Sequence, residues 1–269
     1  MLLVALTVVG LAACSTTAPA TQPSPPSTSE PSGEVVVFAA SSLTDAFNDA
    51  KVAFQAKYPK VTMTYNFGGT PALRTQLEQG ARADVFASAN QGQMDLAIKN
   101  HAAQGPSQAF TSNRLVVITP ADNKKVQTLA DVAKPGLKLV LALKEVPVGG
   151  YARDALSKMN ASEQFGADFS SKVLSNLVSE EQSVRQAVAK VVLGEADVAI
   201  VYGTDVTPDV APKVKTIAIP DRYNVLAVYP IATVKGAPNV AAGQRFIEFL
   251  LSAEGQAILA KRGFGGVPH

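Results

Sequence analysis

Two hydroxyl-bearing turns hold the residues most capable of chemistry in this chain. The apolar run Val35-Val36-Val37-Phe38-Ala39-Ala40 leads into Ser41-Ser42-Leu43-Thr44-Asp45. The run ending in Tyr65-Asn66-Phe67 leads into Gly68-Gly69-Thr70-Pro71-Ala72-Leu73. Each passes from a strand-like run through small residues to a hydroxyl at a helix start. A helix N-terminus offers unpaired backbone N–H groups and a partial positive charge, so it can hold an anion without Lys or Arg. Two such turns converging on one point would make an anion site of neutral donors. Each hydroxyl could equally be a plain helix cap. Ser42 stands three residues before Asp45 in a capping-box spacing, and Thr70-Pro71 is a favoured cap with Pro at the first helical position.

Three further places could add donors. Pro147-Val148-Gly149-Gly150-Tyr151 is a loop of small residues opening a helix, able to offer backbone N–H groups. Ser183-Val184-Arg185 opens another, with Arg185 either an anion ligand or a solvated charge. Tyr202 closes the uncharged run Val198-Ala199-Ile200-Val201, which would put a phenol at a strand's carboxyl end or leave it a half-buried aromatic.

The elements that must position these residues alternate along the chain. Apolar runs at 35–40, 61–66, 84–87, 115–119, 137–143, 196–202, 214–219 and 226–233 read as strands. Stretches with helical spacing at 45–58, 71–79, 91–99, 151–159, 183–193, 244–251 and 255–261 read as helices. The rhythm predicts an α/β fold with mostly parallel sheets and helices on both faces. In open α/β sheets ligands sit beyond the carboxyl ends of the strands. That rule selects 40–44, 68–71, 148–151 and 182–185, two places in each half of the chain, as a closing two-lobed protein would require.

Composition narrows the function. Lys and Arg number 24 against 22 Asp and Glu, a net charge of +2, and no basic block stands out. That argues against a nucleic-acid surface. The two His, His101 and His269, are far apart, which supplies neither a His-based metal site nor a Ser-His-Asp triad. A Ser-dependent hydrolase would also need a base near Ser42 or Thr70, and no Lys or Glu lies close in sequence to either. The chain is therefore read as a binding protein and not an enzyme, with no cofactor and no protein-bound metal.

The N-terminus reads as a targeting segment. Residues 1–13 are uncharged and mostly apolar, shorter than the ~20 residues of a membrane span, and suit a signal peptide. Leu11-Ala12-Ala13-Cys14 resembles a bacterial lipobox, with Cys14 as the lipidated residue. No Lys or Arg precedes the run, which places the expected start upstream of Met1. Residues 14–33 form a Pro-, Ser- and Thr-rich stretch without large apolar side chains, expected to be a disordered tether from a lipid anchor at the membrane.

Three ordered motifs carry a wider resemblance. They are Phe38-Ala39-Ala40-Ser41-Ser42-Leu43, Gly80-Ala81-Arg82-Ala83-Asp84-Val85-Phe86-Ala87-Ser88-Ala89 and Ile200-Val201-Tyr202-Gly203-Thr204-Asp205. Together they resemble the molybdate-binding proteins of bacterial ABC transporters, over almost everything from Val35 to Phe264. The resemblance implies a type II periplasmic-binding-protein fold with the ligand between two lobes, 34–113 plus 232–269 and 114–231. It implies a monomer on the extracytoplasmic face that binds molybdate or tungstate and delivers it to an ABC permease. Another tetrahedral oxyanion such as sulfate is the alternative. Carried over position by position, the oxyanion ligands are the hydroxyls of Ser42, Thr70 and Tyr202 and the backbone N–H groups of Val148 and Val184. Thr70 departs from the Ser of the best-known members but keeps the hydroxyl.

Overall fold

Strand β1 (Gly33–Ala40) is buried on both faces from Val37 onward, as a continuous apolar run requires of a central strand. It pairs in parallel with β2 (Val61–Gly68), in a register that sets Ala40 opposite Gly68. Both strands therefore end side by side, and both hydroxyl turns emerge at one edge. A short 3₁₀ turn (Ser41–Leu43) and α1 (Thr44–Lys57) follow β1; α2 (Thr70–Glu78) follows β2. The computed structural model describes residues 30–267. The expected signal peptide, Cys14 and most of the tether, together with His269, lie outside them.

The chain continues through β3 (Val85–Ala87), α3 (Gln91–Lys99) and β4 (Gln108–Asn113). A single residue, Arg114, then separates β4 from β5 (Leu115–Pro120), which belongs to a different sheet. That second sheet is completed by β6 (Leu139–Ala142), then α4 (Pro147–Asn160), α5 (Phe169–Leu174), β7 (Leu177–Glu181), α6 (Val184–Val192), β8 (Val198–Tyr202) and β9 (Val214–Ala218). The chain returns to the first sheet as β10 (Ala227–Thr233) and ends in α7 (Val240–Leu251) and α8 (Ala253–Lys261). The sheet orders are β2-β1-β3-β10-β4 and β7-β6-β8-β5-β9. These are the two lobes of the expected α/β architecture. The expected lobe division at 231/232 falls inside β10, which pairs with β4 from Ala227 onward.

The two crossings are tied together by Asn224. Its Oδ1 accepts the Leu115 N–H at 3.0 Å, and its Nδ2 donates to the carbonyls of Leu115 at 2.9 Å and Ile219 at 3.0 Å. A buried amide with all three groups bonded makes the hinge a defined object rather than a slack pair of linkers.

The sheets are mixed, not mostly parallel. β10 runs antiparallel to β3 and β4, and β5 runs antiparallel to β8 and β9. The reason is the crossing. A chain that passes straight from β4 into β5 cannot turn to match the βαβ units already in place. Three elements escaped sequence reading. β4 carries Thr111, Ser112 and Asn113 where an apolar run would mark a strand. β7 is an edge strand ending in Glu180 and Glu181, and α5 has only six residues. Helix α4 begins at Pro147, four residues before the expected Tyr151. Pro is pre-set for a first turn, and Gly149 lets that turn sit close on the end of β6, since a Cβ there would lie 2.1 Å from the Leu143 carbonyl oxygen.

Candidate functional site

The carboxyl ends of the two sheets face each other, and the five expected ligand positions meet there. Ser42, Thr70, Val148, Val184 and Tyr202 all line one small cavity, with ≈ 10 Å³ of free space, together with Ala40, Ser41, Gly69, Ala89, Val146 and Pro147. None of these lining residues carries a charge.

Each donor has a local cause. Thr70 is the first residue of α2, and its side chain does not cap the helix. Instead its Oγ1 accepts the Ala89 N–H at 3.4 Å, a bond that ties the α2 turn to the segment after β3. The plain-cap reading of Ser42 fails in the same way. Ser42 sits inside the 3₁₀ turn, and its Oγ lies 2.9 Å from the Tyr229 hydroxyl. Val148 and Val184 stand in the first turns of α4 and α6, where backbone N–H groups have no intrahelical acceptor. Helix α6 does have a side-chain cap, the neighbouring Ser183, which accepts the Gln186 N–H at 3.4 Å. Tyr202 ends β8 fully buried, and its hydroxyl has no hydrogen-bond partner among the described residues. Burial raises its pKa well above the ordinary phenol value, so it stays an O–H donor at neutral pH.

Gly69 lines the cavity where the two lobes meet. The close approach it permits is to the opposite lobe. A Cβ at Gly69 would lie 2.0 Å from the Gln182 carbonyl oxygen. A second cross-lobe contact runs from Gln93 Nε2 to the Glu145 carbonyl at 3.3 Å.

Arg185 is ion-paired across the lobes. It binds Asp45 of the first lobe through Nη2 and approaches Asp205 Oδ1 of its own lobe at 3.2 Å. It is absent from the cavity lining. Asp205 is fully buried. Burial pushes its carboxyl up to about 7, against the pull of the Arg185 charge. A folded-state pKa above the ordinary carboxyl value of 3.8 means that folding takes up a proton between those limits. The contribution of this group to stability is complete below about pH 4 and is lost as pH rises through about 7. Replacing Asp205 by Asn is expected to flatten the fall in unliganded melting temperature between pH 5 and 7.5. A variant curve parallel to wild type would refute the assignment.

A larger cavity of ≈ 540 Å³ opens beside Ser42, lined by Asp45, Thr207, Lys261 and Arg262 among others. Two of its charged groups are engaged: Arg262 makes a two-bond pair with Asp49 at 2.6 and 2.8 Å, and Asp45 holds Arg185. The small cavity, whose phenol has no partner among the described residues and which two helix starts line, is the candidate site. Among the described residues no group of His, Cys, Asp and Glu is placed to hold a metal ion.

Residues 35–265 match the family described as bacterial extracellular solute-binding protein. This chain belongs to that family. The family is one of solute-binding proteins, so binding is the activity the cavity has to explain. Among its relatives is the molybdate-binding protein ModA of Mycobacterium tuberculosis, 37% identical over 97% of this chain and 94% of that one. A solved substrate-binding domain of a putative molybdenum ABC transporter from Clostridium difficile shares 30% identity at a TM-score of 0.65, covering 87% of this chain and 99% of that one. The sulfate-binding protein SubI of M. tuberculosis shares the fold at a TM-score of 0.77, with 18% identity and 86% of each chain covered.

Three residues of this binding protein's site region were missed or left undecided by sequence reading: Tyr229, Asn113 and Asp205. Tyr229 lies in the middle of a strand run, and nothing in its neighbours marks it. Its role depends on a partner 187 positions away.

Proposed function

We propose that the chain binds molybdate, or the similarly shaped tungstate, between its lobes and delivers it to an ABC permease on the extracytoplasmic side of the membrane. The observation that carries the reading is a cavity lined only by uncharged groups, with donors from both lobes. Molybdate and tungstate carry no proton near neutral pH, so they ask for donors alone. Hydrogen bonds to a charged group contribute roughly 1.5–3 kcal/mol each. A helix N-terminus adds about 0.3–1 kcal/mol, more where partly buried. Several such terms together offset the desolvation of a dianion without a salt bridge.

Ser42, Thr70 and Tyr202 would bind through hydroxyls, and Val148 and Val184 through backbone N–H groups. Thr in place of Ser at position 70 keeps the donor and adds a methyl to the wall. Cys14 would be lipidated and would hold the protein, as a monomer on its tether, at the membrane. Relatives that share at least 30% identity and bear molybdate or molybdenum names support this ligand over sulfate, since the sulfate-binding proteins of Synechocystis and M. tuberculosis share 25% and 18%.

Melting curves test it. Ligand at about 1,000 times Kd stabilises by ~4.1 kcal/mol, which for a domain of this size is an upward shift of roughly 8–16 °C. Sulfate at the same concentration should shift the curve less. A curve that neither molybdate nor tungstate moves would sink the reading.

A further inference from the structure

The Ser42 hydroxyl is held by a residue far away in the chain. Its oxygen lies 2.9 Å from the Tyr229 oxygen, and both side chains are buried. A serine and a tyrosine can share a hydrogen either way round. What stands behind Tyr229 decides the direction. Asn113 Oδ1 accepts the Arg114 N–H at 2.9 Å, which fixes the orientation of the amide. Its Nδ2 then donates to Thr204 Oγ1 at 2.7 Å and to Tyr229 Oη at 3.5 Å. The Tyr229 oxygen is therefore already an acceptor, and its own hydrogen needs an acceptor in turn. Ser42 Oγ lies within reach. Burial raises the pKa of this phenol, so the hydrogen stays on it at neutral pH.

We propose that Tyr229, backed by Asn113, is a positioning residue that aims the Ser42 hydrogen into the cavity. The Asn113 amide donates to Tyr229, Tyr229 donates to Ser42, and the Ser42 O–H is left for the ligand. The chain of bonds removes a freedom that a lone serine would have. An isolated hydroxyl can donate or accept, and could turn to receive a proton from a protonated oxyanion. With its oxygen already accepting from Tyr229, Ser42 faces the ligand as a donor. At the Ser42 position the site thus favours a deprotonated ligand oxygen over a proton-bearing one, a discrimination that cavity size alone does not supply. The inference rests on the reading that this cavity takes a tetrahedral oxyanion.

A double-mutant cycle tests it. Wild type, Tyr229→Phe, Ser42→Ala and the double variant are titrated calorimetrically with molybdate, and wild type also with tungstate. Tyr229→Phe keeps the ring and its packing against Tyr202, Phe110 and Phe264. It is expected to weaken binding about tenfold, less than the loss of the charged hydrogen bond itself. Ser42→Ala should weaken binding more. The double variant should bind no more weakly than Ser42→Ala alone, because Tyr229 acts only through the serine hydroxyl. Wild-type affinity in Tyr229→Phe overturns the proposal. So do penalties that multiply in the double variant, since they mean that the Tyr229 hydroxyl acts by a route other than the Ser42 hydroxyl. A wild-type protein that binds neither molybdate nor tungstate overturns the functional reading itself, and that result is separable from the other two.

Discussion

A Gly69→Ala variant is expected to lose oxyanion affinity by about 100-fold or more while its unliganded form melts normally. Gly69 has φ −66° and ψ 134°, an ordinary extended conformation that Ala adopts without strain. Within the first lobe the substitution costs nothing, and it slightly stiffens the unfolded chain. The obstruction comes from across the cleft. The new Cβ would lie 2.0 Å from the Gln182 carbonyl oxygen, and that contact is backbone, which no rotamer change relieves. The lobes would have to stand apart by more than an ångström. Donors from the second lobe, at Val148, Val184 and Tyr202, would then no longer reach an anion held by Ser42 and Thr70. Losing two of these bonds at roughly 1.5–3 kcal/mol each corresponds to about 100-fold or more in affinity. Calorimetry with molybdate and a ligand-free melting curve check both halves. Wild-type affinity in the variant would show that the lobes need not meet at Gly69 for binding.

Tyr202→Phe should produce a rarer combination, weaker binding with no loss of fold stability. Among the described residues the Tyr202 hydroxyl is buried without a partner, and such a group costs about 1–3 kcal/mol when ligand does not satisfy it. Removing it takes away that cost together with the donor. The ring remains, still packed on Tyr229 with centroids 5.8 Å apart. Molybdate affinity is expected to fall by roughly 10- to 100-fold, the worth of one charged hydrogen bond. The unliganded melting temperature should hold or rise, by about 2–4 °C for each kcal/mol relieved. A variant that binds as wild type does would remove Tyr202 from the ligand set. A variant that melts well below wild type would mean that the hydroxyl has a structural partner.

The legible part of this protein lies in short stretches of chain. Helix-start signals are local, so the turns at 41–45, 68–71, 147–151 and 183–185 could be read from a few residues each. Buried strands announce themselves as apolar runs, which is why β1 and β8 were clear. The antiparallel strands were not legible as such, because strand direction is set by where the chain crosses between lobes and not by the residues of the strand. β4 hid for a related reason. Its polar residues are buried by the C-terminal segment, where Thr111 Oγ1 donates to the Gly265 carbonyl at 2.8 Å and Ser112 Oγ to the Gly266 carbonyl at 3.0 Å.

The same division runs through the site. The kinds of group offered at these turns, hydroxyls and first-turn amides, are legible in the sequence because helix-start signals belong to consecutive residues; the set of five expected positions was implied by the family resemblance. Their convergence follows only from tertiary structure. It depends on the register that ends β1 and β2 together, on the crossing at Arg114, and on the hinge bonds of Asn224. So do the contact of Gly69 with Gln182, the bridge from Arg185 to Asp45, and the hydrogen that Tyr229 aims through Ser42. Each of these joins residues far apart in the chain. Their geometry is created where the carboxyl ends of two sheets meet, and no local preference of the residues themselves encodes it.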